Sequence, residues 1–122
     1  MIVYTDGRPT KVAFRVEILS GQVVANETVA IPFSTNFEAE YRSIIEALKF
    51  LVKHKEQFSE PVILYNDNAT VISQFLGKAR ILEPRLKVLF NEAVTYIASF
   101  PHHIQFDWIE RENNKAHELF KR

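Results

Sequence analysis

The chain has no cysteine among its 122 residues. That excludes disulfides, a disulfide-linked partner and thiolate metal sites, and nothing points to an oxidising compartment. An excess of charge of one sign is also missing, because 15 basic and 15 acidic residues cancel. A protein living on sequence-independent phosphate contacts usually carries a basic excess, so tight non-specific nucleic-acid binding is not expected. A local basic patch remains compatible with neutrality. No apolar run approaches membrane-spanning length. The opening "MIVYTDGRPT" lacks the basic segment and apolar stretch of a signal peptide. The expectation is a cytoplasmic protein with no membrane partner. Internal repeats, linkers and low-complexity tracts are absent as well.

What is present is ordinary for a globular protein: 47% hydrophobic and 25% charged residues. A chain this long buries a core without staples, so residues 1–122 are expected to form a single domain, as a monomer.

The hydrophobic pattern starts with a period of two. "IVYT" is β-branched and aromatic and breaks at Asp6-Gly7, which places Asp6 at the end of a first strand. In "KVAFRVEIL", Val12, Phe14, Val16 and Ile18 share one face, as expected of a half-buried strand. Gly21 supplies the turn into "VVANETVAIP", a third strand closed by Pro32. From Ser34 the period becomes helical, with Tyr41, Ile44, Ile45, Leu48, Leu51 and Val52 on one stripe to about Lys55. "PVILYND" is a short continuous apolar run ending on Asp67, the pattern of a parallel strand buried on both faces. Asn68 caps a short helix that Gly77 ends. Pro84 opens a longer helix to Phe100, "HIQFDWIE" is a fifth strand, and a polar helix starts at about Asn113. The order βββαβααβα implies an α/β fold with a mixed five-stranded sheet and helices on its faces.

The acids fall at particular places on that frame. Asp6 and Asp67 close strands that the topology sets side by side, and Glu40 lies early in the first long helix. Acids at the carboxyl ends of neighbouring parallel strands share the crevice where open α/β sheets bind ligands. Clustered carboxylates repel unless a cation neutralises them. Oxygen-only ligands favour Mg²⁺ or Mn²⁺, and two such ions roughly 3.5–4 Å apart are the usual apparatus of phosphodiester hydrolysis. Singly, each acid has a plainer reading: Asp6 as a turn residue, Glu40 as a partner of the helix dipole, Asp67 as part of a strand-to-helix cap. Their joint placement favours the metal site.

In four segments the sequence resembles the type 1 ribonuclease H family, and the likeness spans nearly the whole chain. These are "VYTDG", "STNFEAEYRSIIEALKFL", "LYNDNATVISQFLGK" and "FDWIERENNKAHELF". "GKARILEPRLKVLF" resembles the variant without the basic handle between the middle helices. The resemblance implies a ribonuclease H-like fold and cleavage of the RNA strand of an RNA–DNA hybrid, assisted by Mg²⁺ or Mn²⁺. It makes Asp6, Glu40 and Asp67 metal ligands. Thr35 and Asn36 match a polar pair that touches substrate, and Arg111 and Asn113 match the loop bordering the site. Those four have equally good plain readings as helix caps (Thr35, Asn36, Asn113) or a surface cation (Arg111).

The departures are specific. Arg8-Pro9-Thr10 runs straight into the second strand, where the family has a long glycine-rich loop, and Phe37 replaces an asparagine. His117 stands in place of the fourth aspartate. An imidazole can ligate Mn²⁺ or carry a proton near neutrality, but it does not attract Mg²⁺ as a carboxylate does. His117 is therefore either a working substitute in the catalytic and metal set or a position that has lost its ligand. In either case the second metal position is the weakened one. The remaining histidines, His54, His102 and His103, are expected to be solvated. The sequence thus supports a metal-dependent hybrid ribonuclease of reduced strength. The alternative is a catalytically reduced ribonuclease H-like module that binds nucleic acid or a protein partner.

Overall fold

The computed structural model of the chain describes residues 1–121. Strands β1 (Ile2–Arg8), β2 (Lys11–Glu17) and β3 (Val23–Ala30) form an antiparallel meander. Helix α1 (Asn36–Lys53) follows, then β4 (Val62–Asn66), α2 (Ala69–Phe75), α3 (Pro84–Ser99) and β5 (Ile104–Trp108). The sheet order is β3-β2-β1-β4-β5, with β4 parallel to both β1 and β5. This is the expected mixed five-stranded ribonuclease H-like sheet. The expected element order holds, its last helical element taking the tighter 3₁₀ form in two short turns, Arg111–Asn113 and His117–Lys121. No helix among the described residues is long and apolar enough to cross a membrane.

Alternation along the strands assigns the two sheet faces. Val3, Phe14, Val16, Leu64 and Phe106 pack with α1, α2 and α3 in the larger core, where Tyr41, Ile44, Leu48 and Leu51 are fully buried. Tyr4 and Ala13 face the other way, onto Ala116, Leu119 and Phe120 of the C-terminal segment. Lys115 and Arg15 both pair with Glu17 at the edge of that second cluster, at 3.3 and 3.2 Å. The alternation expected for β2 is therefore correct for its apolar face, but its opposite face is covered rather than solvated.

Two local expectations need correction. Strand β1 does not stop at Asp6: it pairs through Gly7↔Val12 and Arg8↔Lys11. Only Pro9-Thr10 remains for the turn, so the hairpin is tight. His102 and His54 are not fully solvated either: both are half-buried, His102 with Nε2 3.1 Å from the Phe58 carbonyl oxygen and His54 with its ring centroid 4.5 Å from that of Phe50. Helix α1 starts on Thr35, whose hydroxyl accepts from the Glu38 N–H, and α2 starts, as expected, on Asn68, whose side chain accepts from the Val71 N–H.

Candidate metal centre

Period-two geometry aims successive residues of β1 in opposite directions. Gly7 turns toward α1, and Asp6 shares the opposite face with Tyr4. A Cβ on Gly7 would lie 2.3 Å from the Ala39 carbonyl oxygen, a separation no side chain tolerates. Glycine is therefore what lets the strand press against the first turns of α1. The same approach lets the Gly7 N–H donate to Glu40 Oε1 at 2.8 Å and to Asp6 Oδ1 at 3.0 Å.

Across the sheet, Asn66 of β4 follows Val62 and Leu64 on the α1 face. Its amide donates to Glu40 Oε1 at 3.2 Å and to the Thr5 hydroxyl at 3.1 Å. Both donors to Glu40 fall on Oε1, which leaves Oε2 without a protein donor among the described residues. One residue on, Asp67 switches to the other face. There the Asn114 amide reaches Asp67 Oδ2 at 3.5 Å while donating to the Thr5 carbonyl at 2.9 Å. The Trp108 indole N–H donates to the Asp67 carbonyl at 3.1 Å, and the residue is 47% exposed.

The result is a cluster of three acids. One oxygen each from Asp6, Glu40 and Asp67 lies within 4.8 Å of the others. Burial, and the charges of Asp6 and Asp67, push the Glu40 carboxyl up to about 9. Asp6 is pushed upward by burial and by Asp67, against the opposing hydrogen bond from His117. Such a group of carboxylates keeps a proton unless a cation takes its place. The donor set is oxygen-only and partly preformed, which fits a hard divalent ion such as Mg²⁺ or Mn²⁺.

His117 is not part of that triad. Its Nδ1 lies 2.7 Å from Asp6 Oδ2, where the carboxylate accepts from the ring N–H. The expected fourth ligand thus reaches the site by binding one of the three acids. Asp6 and Glu40 open into a polar cleft of about 390 Å³, bordered by Arg8, Pro9, Asn36, Asn68, Arg111 and His117. Arg111 approaches Asp67 Oδ2 at 4.0 Å and is mostly exposed.

Thr35 and Asn113 fare differently from Asn36 and Arg111. Thr35 caps α1 and faces a separate hollow of about 610 Å³, lined by Phe37, Leu82 and Arg80 and reached by none of the three acids. Asn113 is exposed, whereas its neighbour Asn114 is buried and bonded to the site. Sequence reasoning missed Asn66 and Asn114. The one signal available was that both asparagines stand beside residues already singled out, Asp67 and Asn113.

The reverse transcriptase-like family matches residues 18–122. The chain belongs to this family. Its ribonuclease H-like fold is shared with solved structures over nearly the whole length. LC11-RNase H1, isolated from compost by a metagenomic approach and solved with an RNA/DNA hybrid, has a TM-score of 0.86 at 25% identity. That alignment covers 97% of this chain and 91% of the other. The N-terminal RNase H domain of rv2228c from Mycobacterium tuberculosis has a TM-score of 0.85 at 26% identity, covering 97% and 88%. RNase H1 from the halophilic archaeon Halobacterium salinarum has a TM-score of 0.83 at 22% identity, covering 96% and 90%, which is a likeness of fold. No curated protein matches the sequence.

Proposed function

We propose that the chain is a metal-dependent endonuclease that hydrolyses the RNA strand of RNA–DNA hybrids. The observation that carries this reading is the mutual approach of Asp6, Glu40 and Asp67 to within 4.8 Å, with Asp6 and Glu40 lining a polar cleft. Likeness to ribonuclease H structures, one of them solved with an RNA/DNA hybrid, supports this substrate class. Asp6, Glu40 and Asp67 would hold Mg²⁺ or Mn²⁺, which when bound activates water and offsets charge on the phosphoryl oxygens.

The protein's own residues provide the rest. Gly7 and Asn66 orient Glu40 through Oε1, and Asn114 steadies Asp67. His117 holds Asp6 and offers its second ring nitrogen as a proton carrier beside the cleft. Asn36 and Arg111, on the cleft wall, present an amide and a cation to the strand backbone. With an imidazole in place of a fourth carboxylate, the second of two ions is the weaker, and turnover is reduced accordingly.

The His117–Asp6 bond favours a second reading, because it satisfies a carboxylate that a cation would otherwise neutralise. In that reading the chain is a reduced module that binds hybrids without cutting them. Incubation with a labelled RNA–DNA hybrid in Mg²⁺ and in Mn²⁺, beside Asp67→Asn, separates the two. Cleavage that disappears in Asp67→Asn supports the enzyme. Cleavage that survives marks a contaminant, and hybrid binding without any cleavage supports the reduced module.

A further inference from the structure

We propose that Arg8 is a phosphate-binding residue. Its guanidinium, stacked on Phe120 at the rim of the acidic cleft, grips a backbone phosphate of the strand held there. The assignment rests on reading the cleft as a nucleic-acid site and adds a positioning residue to it.

An exposed arginine on a turn is usually just solvated. Arg8 differs because both its backbone and its guanidinium are held. Gly7, one residue before it, is locked against α1 by the close approach to Ala39. On the other side, the Pro9 carbonyl accepts from the Ser34 N–H at 2.8 Å and the Thr10 carbonyl from the Ile31 N–H at 3.1 Å. The turn is thereby stitched to the segment joining β3 and α1. Strand alternation sends the Arg8 side chain to the face of Tyr4 and Asp6, where the C-terminal segment lies.

There its guanidinium carbon sits 4.3 Å from the centroid of the Phe120 ring. Phe120 is itself packed into the second core, so the platform is fixed. Stacking occupies the face of the guanidinium and leaves its in-plane N–H donors outward, the fork that fits a phosphate. No carboxylate among the described residues lies within ion-pairing distance of Arg8, although Asp6 and Glu40 line the same cleft. Arg111, the other cation on the cleft wall, approaches Asp67. The two guanidinia therefore differ in role: one leans on an acid of the site, and the other is held beside it with its donors unspent on any other described residue.

The test measures hybrid binding by fluorescence anisotropy across a salt series, with Asp67→Asn as parent so that substrate is not consumed. Adding Arg8→Ala should weaken binding about tenfold. It should also make the slope of log affinity against log salt shallower by about one. Arg8→Lys, which keeps the charge but loses the stacked fork, should restore most of the slope and only part of the affinity. A parent that binds hybrid, with Arg8→Ala matching it in affinity and slope, overturns the Arg8 assignment and leaves the hybrid reading standing. Weaker binding at unchanged slope also overturns it, since the arginine would then act through the fold. A parent that binds no hybrid overturns both.

Discussion

Nδ1 of His117 and Oδ2 of Asp6 are 2.7 Å apart, joining the C-terminal segment to the first strand across 111 positions of sequence. The imidazole is thus a partner of an acid in the cluster, and its exchange for a carboxylate alters the charge of the whole group. His117→Asp should lower the metal-free melting temperature, because a fourth acid is added to three that already repel. It should also enlarge the stabilisation given by Mg²⁺ and raise Mg²⁺-supported turnover by about tenfold. Thermal unfolding with and without Mg²⁺, beside a hybrid cleavage assay, checks both. An unchanged rate would move the limitation away from His117.

Glu40 makes the metal-free protein sensitive to alkali. Its carboxyl ionises near 4.5 in the unfolded chain and at about 9 in the fold, so between those values the native state holds an extra proton. The stability this provides is fully present below about 4.5 and is lost as pH rises through about 9. Asp6, also shifted upward, adds a contribution of the same sign. In chelator the melting temperature should therefore fall as pH is raised across that window, and Mn²⁺ should flatten the fall. Glu40→Gln should flatten it without metal. A chelated protein that grows more stable toward alkaline pH would contradict the assignment.

Asn113 and Asn114 offer an internal comparison between adjacent amides. Asn114 is buried, donates to the Thr5 carbonyl at 2.9 Å and accepts from the Ala116 N–H at 3.1 Å. Asn114→Ala strands the Ala116 N–H, leaves the Thr5 carbonyl with only the longer 3.3 Å bond from the Asn66 amide, and should cost about 1–3 kcal/mol. It should also loosen Asp67 and weaken Mn²⁺ binding. Asn113→Ala, on an exposed side chain, should stay within about 0.5 kcal/mol of the parent. Urea unfolding of the pair distinguishes them, and equal losses would refute the difference in role.

What the sequence made legible were the features that leave a pattern. The acids were found because charge stands out at a strand end or a helix start, and the order of elements followed from the change between periods of two and 3.6. Asn66 and Asn114 left no such mark, because a neutral amide looks alike on a surface and in a buried network. The extension of β1 through Arg8 was hidden by Asp-Gly, a common turn dipeptide, when the actual turn is Pro9-Thr10. The final helix took 3₁₀ form where the Asn114 side chain claims the Ala116 N–H, a local competition that periodicity does not register. Thr35 shows the reverse: its place before the helix was read correctly, and the structure shows its hydroxyl capping α1.

The chain's single tryptophan, Trp108, donates its indole N–H to the backbone of Asp67 while the residue as a whole stays exposed to solvent. The molecule therefore carries a native optical probe wired to one of its three acids. Excitation at the red edge selects that indole over the tyrosines, so any change in emission during a cation titration originates beside the site. Occupancy of the centre can be followed on the unlabelled chain, with neither a substrate nor a turnover to measure.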